Sequence, residues 1–523
     1  MSFSTLKIVL LTEVRIRLRR LSTLVTLLAM IVLAWMVFED PATGSSLLVV
    51  EGARVLYTSS ALALASVTLF GMLFSMAGFY LVRGRISEDV RCGLGGVIGA
   101  SKITNSLFLF GRWLGGVSYL FVLSMAFMLS IMVCQVFRGV GPIEPLIYLQ
   151  TYALILLPLI CFTVSCAILF DSIAPLMGKL GDVIYFFIWV SVVAQLGLMG
   201  EHMSQGASVV SALMILDFYG LASCMQALNT QLHTANIALG MAEFDPHLAP
   251  ITLRAELWSA PLIAVRALST LLAACLALPA VWLFHRYSSD KVKLSQASVR
   301  RSPLGVLNAW LRPLSGLARP IFTLALKAPG VLGQALADIA VILMSAPSAM
   351  LALVLISVFA LFTPIAHVNA LLLPATAIWG ILISDLSTRD FVVGCEDMTG
   401  VALGGVSRRY LRYVLTSVLL GLLFVGVIVV KMAFSHPFLL LELLIGLLSL
   451  SAVAALLGRT SRTSRLFLAL FLFWLYIATQ VPRAPELDIL AFNGVANGVT
   501  MLSQLIIALI ALFSGYLYNN RER

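Results

Sequence analysis

The sequence predicts an all-α, polytopic membrane protein with about 12 transmembrane helices in two parallel six-helix repeats. Three observations favour this fold class. The chain of 523 residues is 60% hydrophobic and only 11% charged, and a surface that faces water needs more charge than that to stay hydrated. Apolar runs of about 20 residues, enough to cross roughly 30 Å of hydrocarbon as a helix, recur along the chain. A polar, glycine-containing stretch at 83–112 recurs in degraded form at 388–412.

The excess of positive charge indicates membrane topology. The formal net charge is +10, and the lysines and arginines fall in short loops between apolar runs, as they do on the cytoplasmic side of membrane proteins. We therefore expect a multi-pass protein of the cell membrane, the inner membrane if the source is bacterial, with both termini in the cytoplasm. The lipid bilayer is then its surroundings and nucleic acid is not a partner. The seven cysteines include no C-x-x-C pair, so neither a disulfide framework nor a zinc site is expected.

The first six-span half is predicted to occupy 1–284. Residues 5–20 should form an interfacial helix with one apolar stripe; its other faces carry Glu13, Arg15, Arg17 and Arg19. An acidic outer hairpin region is predicted at 200–261. Its apolar part, 207–226, is interpreted as a dip into the outer leaflet, because a span there would place six downstream basic residues outside. The six spans are predicted at about 21–38, 56–82, 113–136, 147–170, 183–199 and 262–284.

A basic cytoplasmic linker at 285–320, which contains serine and proline, marks the boundary to the second half at 321–523. That half begins with a mildly amphipathic lead-in at 321–344. Its polar stretch at 388–412 aligns Gly405-Val406-Ser407-Arg408 with Gly99-Ala100-Ser101-Lys102 at an offset of 306. Two halves in the same orientation would be related by an axis along the membrane normal. The spans of this half are predicted at about 347–365, 369–387, 413–432, 438–457, 466–481 and 497–517.

The chain carries no motif for the chemistry that would drive transport. The nucleotide-binding pattern G-x-x-x-x-G-K-[ST] is missing, and 95–102, GGVIGASK, has the wrong spacing. Neither H-E-x-x-H nor G-x-S-x-G occurs. We therefore expect no enzyme activity, no catalytic residue and no metal or cofactor bound by this chain. Asp217 and Glu442 are the main carboxylates in apolar surroundings, and an acid inside the membrane is a functional candidate by default.

The order of lead-in helix, two spans and charged segment resembles the integral-membrane subunit of ABC-2 type ABC exporters. The motifs are Glu13 and Arg15 in the lead-in, Ser87-Glu88-Asp89 ahead of glycines, and Ser101-Lys102. The resemblance implies that each polar stretch is a coupling helix that docks a separate ATP-binding subunit. Two such subunits would carry the ATP and Mg, and a homodimer of this chain would not be required. The implied docking residues are Arg85, Glu88, Asp89, Arg91, Ser101 and Lys102 in the first stretch, and Arg389, Asp390, Glu396, Asp397, Ser407, Arg408 and Arg409 in the second.

The sequence therefore favours an export permease for an amphipathic, lipid-like or peptide substrate, powered by a separate ATPase. Two alternatives stay open. An ion-coupled secondary transporter would also have twelve spans in two parallel halves. A non-transporting membrane scaffold could use the polar stretches to bind a cytoplasmic partner.

Overall fold

The computed structural model describes residues 3–19, 21–38, 44–203, 212–232, 234, 236–284, 303–401, 405–435 and 437–521. The chain divides into two compact units, Met1–Ser295 and Gln296–Arg523. The division falls inside the predicted linker 285–320. The second part of that linker, from 303, is helical and packs against helices of the second unit, whereas 285–302 lies outside the described residues.

The first unit is mainly helical. In chain order its elements are α1 (Phe3–Leu18), α2 (Leu21–Val37), β1 (Ser45–Val50), β2 (Ala53–Arg54), α3 (Ser59–Val82), α4 (Arg85–Arg91), α5 (Leu94–Ala100), α6 (Asn105–Arg138), α7 (Pro145–Ser172), α8 (Lys179–Met203), α9 (Leu221–Leu232), β3 (Ile237–Glu243), α10 (Ala260–Cys275) and α11 (Leu278–Leu283). Helices α3 and α7 form its centre, and most of their side chains are buried.

Local signals set the ends of α3. Thr58 precedes the helix in extended conformation, and its hydroxyl accepts a hydrogen bond from the Ala61 amide, which satisfies one of the free N–H groups of the first turn. At the other end Arg83 leaves the helical conformation, and Gly84 has a φ of 88°. This left-handed conformation favours glycine. The chain therefore turns sharply out of α3 into the first polar stretch.

The chain is mostly helical, in agreement with the predicted all-α polytopic fold, and the first unit adds a three-stranded antiparallel sheet in the order β2-β1-β3. Glu51 and Gly52 connect β1 to β2 with φ values of 50° and 82°, as a type I′ hairpin requires. The partner of β1 on its other edge, β3, comes almost 200 residues later, so no local hairpin pattern reveals it. Strand β3 belongs to the predicted outer hairpin region, which therefore lies beside the loop that follows the first predicted span.

The described residues of the second unit form helices and connecting turns, with no strand among them. Its elements are α12 (Pro303–Trp310), α13 (Arg319–Lys327), α14 (Gly330–Ser345), α15 (Pro347–Phe362), α16 (Leu372–Ile383), α17 (Arg389–Val393), α18 (Glu396–Gly400), α19 (Gly405–Ser435), α20 (Pro437–Ser461), α21 (Arg465–Gln480) and α22 (Gly498–Arg521), with short 3₁₀ turns between several of them. Helices α14 and α15 are bent by 101° at their junction, where Pro347 cannot continue the preceding helix.

Several long apolar helices indicate a multi-pass membrane protein. Within the described residues, seven helices are long and apolar enough to cross a membrane, or eight if the bent pair α14–α15 is one span. Predicted spans 1, 8 and 11 coincide with shorter apolar stretches at Thr26–Trp35, His367–Ile383 and Arg465–Gln480. The count of twelve spans therefore stays a prediction. The seven helices are Ser59–Val82, Asn105–Arg138, Pro145–Ser172, Ala260–Leu283, Arg408–Ser435, Pro437–Ser461 and Gly498–Asn520.

Candidate functional site

The first polar region, 83–112, forms a helical hairpin between two long helices. It contains α4 and α5, separated by Gly93 with a φ of 71°. Ser101 ends α5, and its hydroxyl donates to the Ile98 carbonyl at 2.7 Å. Thr104 then caps α6 by accepting a hydrogen bond from the Leu107 amide. The hairpin is therefore joined directly to α3 and α6, with few residues between them.

Arg83 anchors the start of this region. It is buried, forms ion pairs with Asp171 and Asp182 at the α7–α8 turn, and donates to the carbonyls of Leu176 and Gly178. The amide of Gly84 donates to Asp171 at 2.7 Å. Because the charge of Arg83 is compensated by two carboxylates, its burial is tolerated. The end of α3 is thereby fixed to the α7–α8 turn.

A second ion-pair network joins α1 to the first polar region. Glu13 lies between three arginines, at 3.6 Å from Arg17, 3.3 Å from Arg85 and 3.3 Å from Arg112. Arg112 also pairs with Asp89. Glu13, Arg17, Asp89 and Arg112 are all less than a tenth exposed. These four charges thus face inward.

The packing of α1 on α6 explains why Glu13 and Arg17 are buried. The prediction placed both on faces of α1 away from the apolar stripe, yet Leu11 and Leu18 of that stripe are 40% exposed. A Cβ at Gly115 would come within 2.7 Å of Glu13, so the absence of a side chain there lets α1 approach closely. The polar face of α1 therefore contacts protein, because its charges find partners there. Arg15 and Arg19, by contrast, are exposed.

The surroundings of Glu13 determine its protonation. Burial by itself raises the pKa of this carboxyl, but the guanidinium groups of Arg112, Arg17 and Arg85 outweigh burial. The pKa of Glu13 therefore lies below its ordinary value, and the carboxylate is ionised at neutral pH.

The second polar region, 388–412, has a related construction. Helices α17 and α18 are separated by Gly394 with a φ of 76°. Asp390 lies 3.6 Å from Arg412 and accepts a hydrogen bond from the Tyr413 hydroxyl at 2.7 Å. Arg412 also pairs with Asp338 of α14 at 3.0 Å. Arg389 is at 3.9 Å from Asp385, a loose and partly exposed pair.

Glu396 ties α18 to two long helices. Its carboxylate is 3.3 Å from Arg409 at the start of α19 and also pairs with Arg459 near the end of α20. Arg409 further donates to the Glu396 carbonyl at 2.9 Å. Both arginines are about 5% exposed. The second region is therefore held by buried arginines, as the first is.

The same three-part contact occurs in both units. In the first unit, Arg112 pairs with Asp89 of the first short helix and with Glu13 of the lead-in helix. In the second unit, Arg412 pairs in the same way with Asp390 and Asp338. Each arginine is the eighth residue of its long helix, α6 or α19. The two arginines lie 300 positions apart, so the contacts match at a different offset from the 306 of the sequence motifs.

The predicted docking residues fall into three groups. Asp89 and Arg409 are buried in the ion pairs described above, and Arg85, Arg389, Asp390 and Glu396 are partly buried in them. Glu88 is partly buried and pairs with Arg85 at 2.7 Å. Lys102, Asp397 and Arg408 are exposed, and Ser101 is partly exposed. The side chains of Arg91 and Ser407 lie outside the described part of the structure.

The sequence analysis did not identify four members of these ion-pair networks: Arg112, Arg412, Asp338 and Arg459. A signal for the arginines was present, because an arginine beside an apolar run requires an acid close to it.

The exposed tips of both regions are apolar. Leu94 and Val97 of α5 are 51% and 71% exposed, and Met398 and Val401 of the second region are 78% and 88% exposed. These positions were not among the predicted docking residues.

In comparisons with known proteins, no family model matches the chain, and no similar curated protein or solved structure is found. The resemblance to ABC-2 permeases therefore rests on the motifs alone.

Proposed function

We propose that this chain is the permease subunit of an ATP-driven exporter of the ABC-2 type, which forms the membrane pathway and docks a separate ATPase through its polar regions. The observation that carries the proposal is the arrangement of side chains in those regions. Asp89 and Glu396 are tied to arginines of long helices by buried or partly buried ion pairs, while the tips of the regions expose apolar side chains. An element fixed in this way would move together with the helices, so a partner that changes shape could shift the pathway.

The proposal includes twelve spans in two halves. Every predicted span overlaps one or two helices, and the span at 369–387 also includes part of a 3₁₀ turn. The repeated three-part contact of Arg112 and Arg412 supports an internal repeat. With one docking element in each half, two copies of the ATPase would bind, and ATP with Mg would be held by those copies at the cytoplasmic face.

A lipid-like or amphipathic substrate fits one further feature of the first unit. A groove of about 520 Å³ opens between the start of α6 and the α10–α11 break. Trp113, Phe110 and Trp282 line it together with aliphatic residues, and Trp282 is 78% exposed. Tryptophan is enriched where hydrocarbon meets the polar interface, and an apolar groove in that zone suits an alkyl chain.

The docking surface can be tested by site-specific photo-crosslinking. A photo-reactive amino acid at Val97 or at Val401 should capture the ATP-binding protein expressed together with this chain. The control position is Val499, which is 77% exposed at the start of α22, far from the second polar region. Val97→Asp and Val401→Asp should lower ATP hydrolysis by the reconstituted complex about tenfold, which corresponds to roughly 1.4 kcal/mol of lost binding.

Three results would count against the proposal. One is capture of the ATPase from Val499 as readily as from Val97. Another is undiminished hydrolysis in both aspartate variants. The third is binding of the ATPase without any stimulation of ATP hydrolysis by substrate, which favours the scaffold alternative.

One observation favours an ion-coupled transporter as a second candidate function. Glu442 in α20 is only 3% exposed, and its carboxylate oxygens have no hydrogen-bond partner among the described residues. Uptake or release of substrate driven by a proton gradient in liposomes without any ATPase would favour this candidate over the export permease.

A further inference from the structure

The buried carboxyl of Glu442 lies in a part of the second unit that the docking proposal does not use. It is near the start of α20, whereas Arg459, which holds the second polar region, is near the end of the same helix. At 1.5 Å per residue the two side chains originate about 25 Å apart. The inference drawn from Glu442 is therefore independent of ATPase docking.

Glu442 has no partner for its carboxylate on the described chain. The backbone of Ala491 approaches it, but not with the geometry of a hydrogen bond. Ala491 has a φ of 58°, a left-handed conformation that is uncommon for a residue with a side chain. The segment 481–497 therefore packs closely over Glu442 without compensating its charge.

A small cavity of about 10 Å³ adjoins Glu442. Two further acids line it, Asp488 and Glu486, together with neutral residues of α22 such as Thr500 and Gln504. No lysine, arginine or histidine is among its lining residues. The carboxylate of Asp488 is buried as well, but it accepts hydrogen bonds from the amides of Asn493 and Val495 at 3.1 Å. Glu486 is exposed, so Glu442 is the buried acid of the group whose carboxylate oxygens lack a hydrogen-bond partner.

An ionised carboxylate in this position would be strongly disfavoured. Removing a charge from water without a compensating partner costs many kcal/mol in an apolar medium, so such groups are neutralised. The neighbouring Asp488 charge adds repulsion. Lys431, near the C-terminal end of α19, donates to the Leu361 and Thr363 carbonyls at 2.9 and 2.8 Å. The described residues therefore offer Glu442 no neutralising cation, and the positive charge is expected to come from solution.

The size and ligands of the cavity favour a proton as this charge. A volume near 10 Å³ holds about one water molecule, which excludes an organic cation. Among the described residues, no group of three or more His, Cys, Asp and Glu side chains is suited to hold a metal ion. A proton needs only one carboxylate oxygen, and this oxygen is available.

We propose that Glu442 is a proton-binding site, which takes one proton from water and holds it as a neutral carboxylic acid while the segment 481–497 packs over it. The reaction joins one proton to one carboxylate oxygen and breaks no other bond. The charged groups that face Glu442 are Asp488 and Glu486 of the segment, and α22 presents only neutral residues to the cavity. Release of the proton restores a negative charge beside Asp488, and we expect it to displace the segment.

Infrared spectroscopy of the full-length chain in lipid nanodiscs tests the site directly. The wild-type protein should show a C=O stretching band of a buried, protonated carboxyl group at about pH 6 that diminishes toward about pH 9, well above the ordinary range of a glutamate. Glu442→Gln should lack this band. The matched control, Glu486→Gln, removes an exposed acid of the same cavity and should keep it.

Thermal stability provides a second measurement that does not depend on the spectra. A folded state that binds one more proton than the unfolded state loses stability as the pH rises, by up to about tenfold in the folding equilibrium constant per pH unit. Glu442→Gln, which resembles the neutral acid, should show less of this loss between neutral and alkaline pH than the wild type and Glu486→Gln.

Two outcomes would overturn the inference. In the first, the wild-type band is missing and stability at neutral pH rises with added sodium but not with added potassium, which would identify an alkali-cation site. In the second, the band is missing and the wild type and Glu442→Gln respond equally to pH, which would mean that the carboxylate is ionised and solvated.

Discussion

Arg112 and Arg412 hold corresponding positions in the two polar regions but differ in burial. The side chain of Arg112 is 7% exposed and its acids about 5%, whereas Arg412 is 22% exposed and Asp338 25%. Removing one partner of a buried ion pair leaves an uncompensated charge and costs about 3–5 kcal/mol. For more exposed pairs water screens the loss, and the cost falls toward about 1 kcal/mol.

We therefore predict that Arg112→Gln lowers the melting temperature of the purified protein markedly more than Arg412→Gln does. Lys102→Gln, at an exposed position of the same region, is the control and should change it little. Equal effects of the two arginine substitutions would contradict the difference in burial that the structure describes.

Glu13 gives a prediction about pH. Its pKa in the folded protein is lowered by the surrounding arginines, while an unfolded glutamate titrates near about 4.3. A lowered pKa in the folded state contributes stability above the unfolded value, and this contribution is lost as the pH falls through the folded value. Glu13→Gln should therefore be less stable than the wild type at neutral pH, and the difference should shrink below about pH 4. A difference that persists unchanged at acidic pH would show that packing, not charge, holds Glu13.

Sequence reasoning identified Glu13, Asp89 and Glu396 as important but expected them to contact a partner or the membrane surface. Charge and spacing are visible in a sequence, and so these residues could be found. Their burial is not visible, because it depends on where α1 and the long helices come to lie. The close approach permitted by Gly115 decides that Glu13 faces protein. The buried pairs and the exposed apolar tips were therefore learned only from the structure.

Among the elements, the predicted spans at about 466–481 and 497–517 leave only a short loop, about 482–496, between them. The structure shows that the middle of the segment 481–497 packs into the unit: Leu490 and Ala491 have no exposed surface. The Trp474 indole donates to the Leu487 carbonyl at 2.9 Å, and the Asn493 side chain donates to the Ala478 carbonyl at 3.0 Å. Its prolines, Asp488 and Gly494 predict a turn, but nothing local predicts that the turn packs against α20.

Gly446 of α20 should be essential for this packing. A Cβ at that position would collide with the Ile489 backbone, and backbone cannot move aside as a flexible side chain can. We expect Gly446→Ala to destabilise the protein by about 1–3 kcal/mol and to speed trypsin cleavage after the exposed Arg483.

Gly426 in α19 is the matched control for Gly446. An added Cβ there meets nothing within 4 Å, so Gly426→Ala should stabilise the helix by about 0.5–1 kcal/mol. Cleavage after Arg483 at the wild-type rate in Gly446→Ala would mean that the segment does not need the contact.

For the molecule as a whole, hydropathy predicted where the helices lie along the chain. It did not determine how many of those helices cross the membrane. A long apolar run such as 147–170 can hardly form anything but a helix in a membrane, and α7 covers it. Runs such as 369–387 and 466–481 correspond to helices of 12 and 16 residues, near or below the length that crosses hydrocarbon. The sheet could not be predicted because its pairing joins loops from opposite ends of the first unit.

The orientation of the chain in the membrane is the prediction on which the proposed function most depends. Helix α3 has 24 residues and is therefore about 36 Å long, more than the hydrocarbon thickness of roughly 30 Å. It begins beside the sheet and ends at the first polar region. The sheet and that region should consequently face opposite sides of the membrane, with the polar region in the cytoplasm.

Cysteine labelling distinguishes the two sides. Cys92 in the first polar region is exposed, and Leu248 beside the sheet is 44% exposed. In a chain that keeps Cys92 as its single cysteine, a membrane-impermeant maleimide should label inside-out vesicles but not intact cells. A chain with Leu248→Cys as its single cysteine should behave in the opposite way. Reversed labelling would put the polar regions outside, where no ATPase could reach them, while labelling of both positions from one side would mean that α3 does not cross the membrane.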